Sequence, residues 1–111
     1  MIASTPEPPY YAVIFTSALS PDPEGYEETA QRMVDLAGDQ PGFLGIESAR
    51  EELGITVSYW SDLDAIRQWR ENLEHRAAQQ KGRDTWYARY KLRIAYVERD
   101  YGSVEPSHSG E

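Results

Sequence analysis

The sequence predicts an α+β fold of the ferredoxin-like type, with a four-stranded antiparallel sheet and two helices on one of its faces. Apolar and polar residues alternate along the 111-residue chain with strand and helix periods in the order β-α-β-β-α-β, which is the order of the split βαβ arrangement. A chain of this length forms one hydrophobic core. We expect residues 1–9 to be a flexible arm, residues 10–102 the folded domain and residues 103–111 a flexible tail.

The first strand is predicted at residues 10–17, a run of aromatic and β-branched residues, YYAVIFTS. Both faces of this strand are apolar, with Tyr11, Val13 and Phe15 on one side and Tyr10, Ala12 and Ile14 on the other. A strand that is apolar on both faces is covered on both faces in a stable protein. The helices account for only one of these covers.

The first helix is predicted to begin at Asp22, a residue suited to the N-cap, with Pro23 at the first helical position. Helical spacing then defines one buried stripe: Tyr26, Ala30, Met33, Val34 and Ala37. Gly38 is typical of a helix end, and Pro41 prevents the helix from resuming.

Two further strands are predicted at residues 43–50 and 55–60, and the turn at residues 51–54 joins them as a hairpin. In the second of these, Ile55, Val57 and Tyr59 share one face, while Thr56, Ser58 and Trp60 share the other.

Ser61 or Asp62 can cap the second helix. A helix that continues past Asn72 and a break at Asn72 are both compatible with the pattern. After Gly82, residues 83–89 form either another helical turn or an irregular approach to a last strand at about residues 90–101.

Composition excludes several classes of function. The net charge of −8 argues against nucleic acid or an anionic membrane as a partner. The absence of cysteine excludes disulfides, thiolate metal sites and a cysteine nucleophile. The two histidines, His75 and His108, are far apart, and we expect no metal site. Since there is neither a membrane-length apolar run nor a signal pattern, we expect a cytoplasmic protein.

The second face of the sheet predicts a homodimer. An apolar sheet face left in water would be a large exposed patch. The simplest cover is the same face of a second copy, which gives a closed two-fold dimer.

The run EHRAAQQKGRDTWYARYKLRIAYVERDYG at residues 74–102 resembles the antibiotic biosynthesis monooxygenase family, and its most specific part is the HRxAQxxGRxxWYxxY pattern from His75 to Tyr90. The resemblance extends over nearly the whole fold. It implies a dimeric α+β barrel with a cavity between sheet and helices in each subunit. It also implies oxygenation of electron-rich phenols by O2 without metal, flavin or haem.

On this hypothesis His75 is the general base that removes a phenolic proton, and Arg76 or Arg83 supplies positive charge to an oxyanion. A flat aromatic substrate would stack on large rings, for which the candidates are Trp60, Trp69, Trp86 and Tyr90. Each residue type also has an ordinary structural role: a histidine paired with a nearby glutamate, arginines in salt bridges, and aromatic rings in the core or dimer interface. Arg93, in the last strand, is a candidate for a buried ion pair with Glu47 across the sheet.

Two alternatives remain open. One is a non-catalytic dimer of the same fold that binds a small molecule or acts as a stress-related accessory protein. The other is haem degradation, whose branch typically has an asparagine on strand 1, a tryptophan on the second helix and a histidine ten residues later. Trp69 fits, but Gln79 occupies the histidine position and strand 1 lacks asparagine, so two of the three markers are missing.

Overall fold

The computed structural model of the protein describes residues 2–21, 26–79 and 87–103. Its elements follow in the predicted order: β1 Tyr10–Leu19, α1 Tyr26–Gly38, β2 Phe43–Arg50, β3 Gly54–Trp60, α2 Leu63–Gln79 and β4 Tyr87–Val97. The strands form one antiparallel sheet in the order β2-β3-β1-β4. This is the ferredoxin-like α+β fold, as predicted.

The second helix is capped by Asp62, one of the two residues that the sequence offered for this role. The Oδ1 atom of Asp62 accepts a hydrogen bond of 2.8 Å from the backbone N–H of Ala65, which satisfies one of the donors at the helix N-terminus. The helix then continues through Asn72 to Gln79 without a break, so the continuous alternative is the correct one. Asp22 and Pro23, the predicted start of α1, lie outside the described residues.

The last strand is shifted from its predicted position. It begins at Tyr87 rather than Tyr90 and ends at Val97 rather than Tyr101. The reason is its partner: β1 pairs with β4 from Tyr10 opposite Val97 to Leu19 opposite Tyr87. A strand gains backbone hydrogen bonds only where it has a neighbour, and the ends of β1 therefore set those of β4.

The core lies between the helices and the β3–β1 centre of the sheet. Its buried members come from β1, β3, α1 and α2, and they are Val13, Trp60, Ala37, Ala65, Ile66 and Trp69. Gly42 has a φ of 87°, and a Cβ there would come within 2.5 Å of the Ala65 Cβ. This glycine therefore permits both the turn before β2 and the close approach of α2.

The opposite face of the sheet carries the N-terminal arm. The backbone N–H of Ala3 donates to Glu47 Oε1 at 2.7 Å, and the hydroxyl of Thr5 donates to the hydroxyl of Tyr10 at 3.0 Å. The Tyr10 hydroxyl in turn donates to Asp100, beyond the end of β4. Residues that precede β1 and a residue that follows β4 are thus hydrogen-bonded to side chains of the same sheet face.

The prediction of an ion pair between Arg93 and Glu47 is wrong. Arg93 is exposed, and the described residues contain no ion pair between the two. Glu47 accepts hydrogen bonds from Ala3 and from the Tyr59 hydroxyl instead. The sheet order explains this result, because β3 and β1 lie between β2 and β4 and separate their backbones by about 14 Å.

No helix in the described part of the chain is both long enough and apolar enough to cross a membrane.

Candidate functional site

Strand register arranges the helix-facing side chains in four rows across the sheet, each with one residue from β2, β3, β1 and β4 in that order. The rows are Phe43–Trp60–Tyr11–Tyr96, Ile46–Ser58–Val13–Ile94, Ser48–Thr56–Phe15–Leu92 and Arg50–Gly54–Ser17–Tyr90. Residues directly opposite each other in an antiparallel pair point to the same face. These rows therefore form the surface on which the helices pack. A cavity between the helices and the sheet would be lined by the same residues.

The helices cover the two sides of this surface unequally. Helix α1 lies against β2 and helix α2 against β3. On the β4 side, large side chains are exposed by 66% at Tyr90, 40% at Leu92, 42% at Ile94 and 56% at Tyr96. An exposed apolar patch of this kind is a candidate for a binding surface.

Two rings of β1 extend the patch. Tyr11 contacts Tyr96 with ring centroids 5.2 Å apart, and Phe15 contacts Tyr90 at 5.6 Å. We call these two residues together with Tyr90, Leu92, Ile94 and Tyr96 the β4 surface. It is a strip of aromatic and aliphatic side chains, suited to a flat apolar ligand.

Trp60 and Trp69 are brought together, but in the core. Trp60 has no exposed surface; its ring is stacked on Trp69 at a centroid distance of 6.1 Å and meets the edge of Phe43 at 5.4 Å. The indole Nε1–H donates to Ser58 Oγ at 2.9 Å. These contacts give both tryptophans a packing role, and contact with a substrate stays a prediction for them.

Tyr90 lies at the other end of the sheet. Trp60 is opposite Tyr11, and Tyr90 is opposite Ser17, so six residues of β1, or about 20 Å, separate the two rows. Among the predicted binding residues whose side chains the structure describes, Tyr90 alone is exposed, by 66%.

The remaining predicted site residues are not tested. His75 and Arg76 belong to α2, but their side chains are outside what the structure describes, and so are Arg83 and Trp86. The chain re-enters the described structure at Tyr87, paired with Leu19. The His75–Tyr90 run therefore ends at the row that contains Ser17 and Tyr90.

Arg50 lies in the same row as Tyr90 on the helix-facing side of the sheet, and the sequence analysis missed it. Its Nη2 donates to the Oγ of Ser17, which is only 1% exposed, and its Nη1 donates to the Ser17 carbonyl oxygen at 3.4 Å. A Cβ on Gly54 would collide with the guanidinium, so the glycine supplies the space that the arginine crosses. An arginine and a glycine flanking a short hairpin turn were the available signal.

A second polar cluster lies on the opposite face. The Tyr59 hydroxyl donates to Glu47 at 2.5 Å. Burial, together with the hydrogen bond to Glu47, raises the pKa of Tyr59 to about 12, and the same hydrogen bond lowers the pKa of Glu47. The hydrogen bond to Asp100 raises the pKa of Tyr10. Both phenols are therefore held as neutral donors, and the cluster fastens the arm rather than supplying a base.

Among the side chains that the structure describes, no three acidic or histidine groups come together in a way that could hold a metal ion.

Comparison with known proteins identifies relatives across most of the chain. The family model for antibiotic biosynthesis monooxygenase matches residues 9–81. The uncharacterized protein YqjZ of Bacillus subtilis (strain 168) is 60% identical over 100 residues, which span 88% of this chain and 88% of YqjZ.

Two solved structures share the fold. One is a mutant of SnoaB, a cofactor-independent oxygenase from Streptomyces nogalater, with a TM-score of 0.68 and 17% identity over 85% of this chain and 98% of that chain. The other is PA3566 from Pseudomonas aeruginosa, with a TM-score of 0.64 and 20% identity over 91% of this chain and 100% of that chain.

Proposed function

Because the chain belongs to the antibiotic biosynthesis monooxygenase family, we propose that it is a cofactor-independent monooxygenase that acts on an aromatic, phenol-like small molecule. The observation that carries this proposal is the β4 surface, where apolar side chains stay exposed on the face that the helices otherwise cover. The likeness in fold between this chain and a cofactor-independent oxygenase supports the type of reaction.

The β4 surface favours a flat aromatic ligand for a physical reason. Rings at both ends, in the Tyr11–Tyr96 and Phe15–Tyr90 pairs, flank the aliphatic side chains of Leu92 and Ile94. A planar ligand on this strip would exchange water contact for ring and aliphatic contact, at about 25 cal/mol per Å² of apolar area. Ring pairs add a geometric preference to that burial.

The proposed reaction needs few protein groups. His75 takes the phenolic proton, and the resulting anion is electron-rich enough to pass an electron to O2. Recombination of the two radicals forms a carbon–oxygen bond. One oxygen atom stays in the product and the other leaves as water, with the substrate supplying the electrons. Arg76 or Arg83 would stabilise the anion, and Trp86 would contribute to stacking.

The proposal includes a homodimer that meets through the sheet face opposite the helices. Ile55 is 46% exposed on that face, and it shares the face with Val57 and Ile14. The family resemblance implies the same arrangement. The arm occupies only part of this face, near Glu47 and Tyr10.

The test is oxygen consumption by the purified protein with anthrones, hydroquinones and polyphenols in the presence of a chelator. We expect uptake above the uncatalysed rate, lost in His75→Ala and kept in His108→Ala, which removes the other histidine. Full turnover in His75→Ala would refute the role of that base. Saturable binding without oxygen uptake would favour a non-catalytic binding protein.

A matched pair of variants tests the surface itself. Leu92 is 40% exposed on the β4 surface, and Leu53 is 52% exposed in the hairpin turn. A carboxylate placed in the binding surface is desolvated by the ligand, whereas one in the turn stays in water. We therefore expect Leu92→Asp to abolish ligand binding and Leu53→Asp to leave it unchanged. Equal effects would place the ligand elsewhere.

A further inference from the structure

The row at the end of the β4 surface combines a positive charge with the aromatic strip. Arg50 starts from β2, crosses Gly54 of β3 and reaches Ser17 of β1, which is opposite Tyr90 of β4. The guanidinium therefore contacts the strand that neighbours β4, and the backbones of these two strands lie about 5 Å apart.

Three features fix this guanidinium in place. Its two terminal nitrogens both donate to Ser17, one to the hydroxyl and one to the backbone carbonyl. Ser17 is buried and is paired with a neighbouring strand on each side, so it is a rigid anchor. Gly54 leaves the space that the guanidinium occupies. An arginine held in this way has less rotamer freedom to lose when a ligand binds.

We propose that Arg50 is a specificity-determining residue that binds an anionic oxygen, a phenolate or carboxylate, of the aromatic ligand on the β4 surface. The inference rests on the proposed function, since it names the substrate class of the same surface. Planar guanidinium donors match two-oxygen acceptors, and a charge-assisted hydrogen bond is about twice as strong as a neutral one. The ligand would lie with its rings along Leu92 and Ile94 and its acidic oxygen at the Ser17 end.

Because the protein carries a net negative charge, binding of an anionic ligand requires a positively charged side chain at the site itself. At a net charge of −8, the protein as a whole repels anions. Preference for an anionic ligand over its neutral counterpart therefore requires a fixed positive group at the site, and Arg50 is positioned for that role next to the Phe15–Tyr90 ring pair.

The experiment compares two probes of the same ring system, 9-anthracenecarboxylate and 9-anthracenemethanol, by fluorescence titration. In the wild-type protein we expect the carboxylate to bind at least about tenfold more tightly, as one hydrogen bond to a charged group allows. Arg50→Gln should remove this preference and change the affinity for the alcohol by less than about twofold.

Two further variants make the comparison decisive. Arg67→Gln removes the same charge from an exposed site on α2, away from both faces of the sheet, and should keep the preference. Gly54→Ala retains the charge but displaces the guanidinium, and it should lose the preference. Circular dichroism checks that each variant is folded; if Arg50→Gln is not, Gly54→Ala carries the test.

The outcomes separate this inference from the proposed function. Tight binding of both probes, with a preference that survives in folded Arg50→Gln or in Gly54→Ala, would overturn the role of Arg50 and leave the aromatic surface intact. Equal affinity for both probes in the wild-type protein would do the same. If neither probe binds, the aromatic site is absent and both proposals fall.

Discussion

Truncation of Trp60 tests whether this side chain belongs to the core or to a ligand site. Trp60 is fully buried, stacked on Trp69 and in edge contact with Phe43. Replacing such a residue with alanine costs about 3–5 kcal/mol. The Nε1–H bond to Ser58 is also lost, which places the expected loss for Trp60→Ala near the upper end, about 4–5 kcal/mol.

Urea unfolding followed by circular dichroism measures this loss. With an m-value of about 2 kcal/mol per molar urea, the midpoint should fall by about 2 M. Such a loss is about a third or more of the stability of an ordinary domain. Leu63→Ala is the control, because Leu63 is 52% exposed at the start of α2 and its loss should change stability by less than about 0.5 kcal/mol.

The contrary result is also specific. A midpoint shift below about 0.5 M for Trp60→Ala, together with lost binding of an aromatic probe, would show that the indole faces a ligand rather than the core. The packing argument would then be refuted.

Three other perturbations have defined outcomes. Asp62→Ala removes the cap of α2 and should lower stability by about 1 kcal/mol, whereas Asp62→Asn, which keeps the acceptor, should cost less; thermal unfolding distinguishes the two. Gly42→Ala should destabilise the protein by more than 1 kcal/mol, about the cost of a left-handed residue, since the new Cβ also meets Ala65; an unchanged Tm would contradict this. The third concerns Tyr59, whose pKa is raised from 10.0 to about 12. The stability it contributes is fully present below pH 10 and is lost as the pH rises through about 12. The pKa of Glu47 is lowered from 4.5, so its contribution is present above that pH and is lost as the pH falls through the lower folded value. Tyr59→Phe should remove the alkaline loss and weaken the acid one, as measured by urea midpoints across pH.

Chain order and side-chain period determined the architecture. The β-α-β-β-α-β order, the two faces of β1 and the hairpin between β2 and β3 were all readable in advance, and the structure confirms them. Local chemistry also limited the cap of α2 to Ser61 or Asp62, and the structure shows that it is Asp62. Each of these features depends on residues within a few positions of one another, and sequence spacing encodes such relations directly.

The ends of β4 and the continuity of α2 were not determined in this way. The extent of β4 depends on the length of β1, whose paired residues lie 68 to 87 positions earlier in the chain. Helix α2 keeps Asn72 inside a continuous helix, although asparagine also suits a cap. The preceding turns pack Ile66 and Trp69 into the core, and tertiary packing overrides a weak local preference.

The candidate site, like the fold, was predictable from the sequence only in part. The sequence singled out the aromatic residues and Tyr90, because large rings and a family-like run can be recognised without coordinates. The register of the four strands, which come from distant parts of the chain, places Arg50, Gly54, Ser17 and Tyr90 in one row. The same register places Trp60 in a different row, where it is buried. Residue types were thus determined by the sequence, while the face, the row and the exposure of each side chain were decided by pairings that form only when the whole sheet assembles.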